Sequence, residues 1–97
     1  MVVGVLELTL SIVEADSLKA KRRVVKSVVE RIRHRFGVAI AEVDFNDEHR
    51  RACLGIAMVA NDQAYVNSVL DKVRSAVADY TLGQADLQDE RLELLHF

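Results

Sequence analysis

The sequence predicts an α+β fold with element order β-α-β-β-α-β, and three observations carry that expectation. Apolar residues alternate with period two from Val2 to Val13. Two stretches of 3.6-residue periodicity follow, one from Leu18 and one after Asp62. Between them lies a nearly continuous apolar run, Ala52 to Ala60. With right-handed crossovers and the middle strands joined as a hairpin, this order gives a ferredoxin-like βαββαβ sandwich, a four-stranded antiparallel sheet with both helices on one face. Residues 1–97 read as a single domain of this kind.

The first strand points Leu6, Leu8, Leu10 and Ile12 one way and Val5, Glu7, Thr9 and Ser11 the other, so it has a buried face and a wetter one. Glu14, Ala15 and Asp16 form the turn into the first helix. Ser17 is placed as its N-cap, and Gly37 follows Phe36 where a left-handed residue commonly ends a helix. Within the helix, Leu18, Val25, Val28, Val29, Ile32 and Phe36 share one arc, with Val24 at its margin. A second strand spans Val38 to Asp44, with Val38 and Ile40 on one side and Ala39, Ala41 and Val43 on the other. Phe45 to Arg51 is expected as an exposed, mobile loop.

Ala52 to Ala60 reads as an inner strand paired on both sides, with Gly55 marking a close backbone approach or a bulge. Asn61 and Asp62 cap the second helix, whose buried positions are Val66, Val69, Leu70, Val73, Val77 and Tyr80 and whose end is expected near Gly83. Its exposed face, Asp71, Lys72, Arg74 and Asp79, is of mixed charge. The last strand runs from about Ala85 to Leu95. Its apolar phase slips across Gln88 to Arg91, which predicts a bulge or break there.

The hydrophobic fraction of 51% is ample for a core, but only five residues are aromatic and none is Trp, so the core is aliphatic. The net charge of −2 conceals a separation: Ser17 to Phe36 carries +7 and the remainder −9. That excludes a uniformly basic nucleic-acid binder and leaves a basic patch on an acidic body. Cys53 is the only cysteine, which excludes an intrachain disulfide. The opening MVVGVLELTLSIV lacks a basic segment and contains Glu7, unlike a secretory signal, and no apolar run reaches the ~20 residues of a membrane helix. The expectation is a cytoplasmic protein without a membrane partner.

The residues offer little catalytic chemistry. His34, His49 and His96 lie on a helix, a loop and the tail without metal-ligand spacing, and the four glycines are isolated, so neither metal nor cofactor is expected. Cys53 sits among apolar neighbours and reads as filling. Glu42, Asp44, Asp47 and Glu48 cluster in sequence but lack the spacing and glycine of a calcium loop. What remains is the first helix. Lys19, Arg22, Arg23, Lys26 and Arg33 lie opposite its apolar arc, and Lys19, Lys21, Arg22 and Arg23 crowd its amino end, where helix physics favours acids by about 0.3–1 kcal/mol each. Lys21 falls inside the apolar arc. Its stem is expected to cover the core edge while its ammonium reaches solvent, and the alternative is that it converges with free N–H groups on an anion.

At Ser17-Leu18-Lys19-Ala20-Lys21-Arg22-Arg23 the chain resembles the YlxP-like family of small bacterial proteins, a domain of unknown function, whose S-L-K-x-K-R signature is matched there. The resemblance continues through Phe36-Gly37-Val38, Ala41-Glu42-Val43-Asp44 and Ala52-Cys53-Leu54-Gly55 to Asn61-Asp62. Ala60 departs from it, since many relatives carry Ser. The resemblance implies the same ferredoxin-like fold. Its genes often lie beside those of translation initiation factor 2 and ribosome-binding factor A, which implies a role in ribosome maturation or translation.

The leading expectation is therefore a non-enzymatic accessory protein that binds RNA or a ribosomal surface through Lys19, Lys21, Arg22, Arg23, Lys26 and Arg33, reading shape and phosphate with no DNA specificity. The alternative is a protein-interaction or homodimerisation module. It would use an edge strand or the open sheet face, to which the pattern assigns Val5, Glu7, Thr9, Ser11, Cys53, Ala57 and Val59. A third reading, an enzyme or anion sensor at the helix amino end, needs a concave pocket beside Lys21.

Overall fold

A computed structural model describes residues 1–13 and 15–97; the turn position expected at Glu14 lies outside them. The elements are β1 (Val2–Ile12), α1 (Leu18–Phe36), β2 (Ala39–Asp44), β3 (Arg51–Ala60), α2 (Gln63–Tyr80) and β4 (Ala85–His96). The strands form one sheet in the order β2-β3-β1-β4, every neighbouring pair antiparallel. This is the expected ferredoxin-like sandwich, with β2 and β4 at the edges.

Alternation in β1 drives Leu6, Leu8, Leu10 and Ile12 into the core, where they meet Leu54 and Ile56 of β3 and the apolar stripes of both helices. Val25, Val28 and Ile32 come from α1; Val66, Leu70, Val73 and Val77 come from α2. Each such side chain contributes about 1.5–3 kcal/mol by leaving water. The helix α2 crosses β1 at Gly4, and the approach is close. A Cβ there would lie 2.4 Å from Val66 Cγ1 and 2.7 Å from Leu70 Cδ1.

The helix ends follow local chemistry. Ser17 Oγ accepts from the Ala20 N–H at 3.1 Å, and Gly37 closes α1 with φ 62° while its N–H donates to the Arg33 carbonyl. Asp62 caps α2 through the Tyr65 N–H at 2.9 Å. That helix stops at Tyr80, before the expected Gly83. Thr81 is buried, and its hydroxyl donates to the Val77 carbonyl at 2.8 Å while its own carbonyl accepts from Gln84 and Ala85, which turns the chain early.

Two bulges reconcile sequence phase with the sheet. In β4, Asp89 faces Thr9 and Leu87 faces Leu10, so Gln88 is the extra residue and Leu87 stays on the helix side with Leu92 and Leu94. In β2, Glu42 faces Leu54 and Asp44 faces Cys53, leaving Val43 unopposed. Val43 leans over Gly55, where a Cβ would sit 2.8 Å from its Cγ1, so the close approach expected at that glycine comes from a side chain of the edge strand. The segment expected as a mobile loop is shorter, because Arg51 already belongs to β3. Arg51 grips Glu48 with two hydrogen bonds and stacks on Phe45, 4.0 Å from the ring centroid.

A basic flank on the first helix

The α1 cations divide into three groups by what they touch. Lys21 is fully buried, with 0% exposure. Its Nζ donates to Glu42 Oε2 at 2.5 Å and to the Phe45 carbonyl at 2.9 Å. This corrects both expectations for Lys21: the ammonium neither reaches solvent nor is free for an external anion. The physical reason is that Glu42 lies on β2 directly beneath the helix, so the buried charge finds a carboxylate and a carbonyl instead of water. The pair also brings an acid to the amino end of α1, where the local sequence supplies none.

Arg31 and Arg35 turn toward α2. Arg31 stacks on the Tyr80 ring at 3.7 Å from the centroid, and Arg35 donates to the Tyr80 hydroxyl at 3.0 Å. Both tie the helices together, a role the sequence pattern did not reveal because it depends on where the two helices cross.

Lys19, Arg22, Arg23, Lys26 and Arg33 occupy the flank of α1 away from Tyr80, and all five are exposed. Arg33 Nη2 donates to the Ile40 carbonyl at 2.8 Å, so the flank lies along the β2 edge and one acceptor of that edge is already taken. Among the described residues, Lys19, Arg22, Arg23 and Lys26 have neither an acidic partner nor a side-chain hydrogen bond. Their spacing of three and four residues puts them in one row spanning about 10 Å of helix. Outside α1, Arg51 pairs with Glu48, Arg74 with Glu90, and Arg91 lies 4.0 Å from Glu93, whereas Arg50 and Lys72 have no such partner among the described residues.

The remaining sites are quieter. The Arg51 side-chain hydrogen bond holds the Glu48 carboxyl below its ordinary value, and burial pushes the Cys53 thiol up. Cys53 is thus a poor nucleophile at neutral pH. Among the described residues no three His, Cys, Asp or Glu side chains gather as metal ligands, and no helix is long and apolar enough to cross a membrane. Both sheet edges are obstructed for strand addition. β2 has the Arg33 contact and the Val43 bulge, while β4 carries the Gln88 bulge and the charges Asp86, Asp89, Glu90, Arg91 and Glu93.

Similarity to known proteins agrees with this fold. The protein YJCS superposes with a TM-score of 0.65 at 9% identity, covering 94% of this chain and 96% of that one. The de novo designed ferredoxin-fold protein LFR1 1 gives 0.62 at 10% identity, covering 100% and 88%. The protein TA0507 gives 0.60 at 10% identity over 97% of this chain, which spans 44% of the longer one. In sequence, the uncharacterised protein YlxP of Bacillus subtilis (strain 168) is 31% identical over 78 residues, 80% of this chain and 85% of that protein. Residues 3–90 match the family described as protein of unknown function DUF503, and the chain belongs to that family.

Proposed function

We propose that the protein is a non-enzymatic cytoplasmic accessory factor that binds structured RNA or a ribosomal surface through the outer flank of α1. The observation that carries this reading is the row Lys19, Arg22, Arg23 and Lys26, four exposed cations clustered on one helix flank and without acidic partners among the described residues. Three of the four lie within the first six helical residues, against the helix dipole, and α1 has no acid in its first turn. Arg33 continues the row and keeps free donors, since a guanidinium has five and only one bond is formed to Ile40. Lys21 leaves the contact set and serves to fix the helix on β2.

The contacts would be to phosphates. The inner strands β1 and β3 contain no aromatic residue on which a base could stack, so shape and charge are what the flank can read. Four neutralised phosphates predict log K falling with log salt at a slope of about 2.8–3.6. Binding to ribosomal subunits and to bulk RNA across a salt series, with Arg22→Glu/Arg23→Glu alongside, tests the proposal. Salt-dependent binding abolished by the double substitution supports it. Equal binding by the two proteins, or none at low salt, refutes it.

A further inference from the structure

The face of the sheet opposite the helices carries a second, chemically different surface. The register sets its side chains in rows: Val59, Val3 and Leu95, then Ala39, Ala57, Val5 and Glu93, then Ala41, Gly55, Glu7 and Arg91. The small residues of β2 and β3 leave a shallow depression of about 410 Å³ bordered by Val5 and Val43. Around it stand large side chains that the fold leaves in water: Val43 is 55% exposed, Val59 60% and Leu95 39%. Charge on this face lies along β4, at Glu7, which has Arg91 opposite it in register, and at the far end, where Asp44 faces Cys53 and Arg51 faces Ser11.

We propose that this face is covered by a second copy of the chain, the two sheets packing face to face with both helical layers outside. The occupant follows from three features. The first is area. Four strands about 4.8 Å apart and up to about 36 Å long give a face on the order of 600 Å², so two faces bury roughly 1,200 Å², the lower bound for a specific interface. The second is charge. Because β4 carries Arg91 between Asp89 and Glu93, a twofold contact offset by one row sets the cation of each copy against an acid of the other, and Glu7 has Arg91 beside it in register when water is removed. The third is closure. Extension of the sheet is obstructed at both edges, so only the face remains to be buried. Small and protruding residues side by side suit the interdigitation of aligned sheets about 10 Å apart.

Sedimentation equilibrium from micromolar to submillimolar protein, in low and in molar salt, tests this without reference to RNA. The parent is expected as a dimer that persists in molar salt, since apolar burial resists screening. Val59→Glu and Ala57→Glu, both on the open face, are expected to weaken dimerisation at least tenfold with unchanged circular dichroism. Arg22→Glu/Arg23→Glu is expected to remain dimeric, so loss of RNA binding and loss of the dimer are read separately. A monomeric parent at the highest concentration overturns the proposal. So does an association that dissolves in molar salt, or a dimer indifferent to both face substitutions.

Discussion

Replacing Lys21 by Met isolates the buried ion pair, because Met keeps most of the apolar stem and removes only the ammonium. Two charge-assisted contacts vanish, to Glu42 Oε2 at 2.5 Å and to the Phe45 carbonyl at 2.9 Å. Breaking a buried pair from one side costs about 3–5 kcal/mol, most of it the penalty of the charge left behind. The Glu42 side chain keeps 14% of its exposure, so water can still reach it and the lower end applies, about 3 kcal/mol. For a chain of this size that is a loss of roughly 12–24 °C in Tm. Urea unfolding followed by circular dichroism should show the midpoint fall with the slope unchanged. Adding Glu42→Met should restore stability to within about 1 kcal/mol of the parent, since an apolar pair of similar volume leaves no orphaned charge. A single variant within about 0.5 kcal/mol of the parent would refute the buried clamp. A double variant no more stable than the single would refute the pairing. Lys21→Met, kept well below its transition, should bind RNA as the parent does, because its ammonium never reaches the surface.

Two further outcomes follow from the packing and the loop. Gly4→Ala should cost about 1–3 kcal/mol in urea unfolding, because Val66 and Leu70 are held between α2 and β1, whereas Gly55→Ala meets only the exposed Val43 and should cost much less; equal costs would mean that α2 does not approach β1 as described. Glu48 has a folded value below its ordinary 4.5, first through the Arg51 hydrogen bond, so its contribution is present above 4.5 and lost as pH falls through the depressed value. Glu48→Gln should therefore flatten the acid limb of stability against pH, and the difference should fade in molar salt because both partners are exposed. Identical acid limbs would show that the pair does not persist in solution.

The flank of α1 was legible because a helix wheel needs only sequence spacing, and opposite faces of one helix are fixed once the helix forms. The same wheel could not sort the basic residues by partner. Arg33 and Arg23 look alike in sequence, yet one reaches an edge carbonyl of β2 and the other reaches solvent. Lys21 shows the limit most clearly. Its place in the apolar arc was visible, but Glu42 lies 21 residues away, and only the docking of α1 on β2 brings the two together.

By itself the sequence determined the six elements, the caps Ser17, Gly37 and Asp62, and the slip that becomes the Gln88 bulge. These depend on neighbours within a few residues, whose preferences the chain expresses locally. Tertiary structure alone decided which cations are free, why Thr81 ends α2 early, and how Val43 comes to lie over Gly55. It also gathered small side chains from β2 and β3 beside Val5 into one apolar face. Those outcomes depend on contacts between distant segments, whose geometry is set only when the sheet and the helices pack against each other.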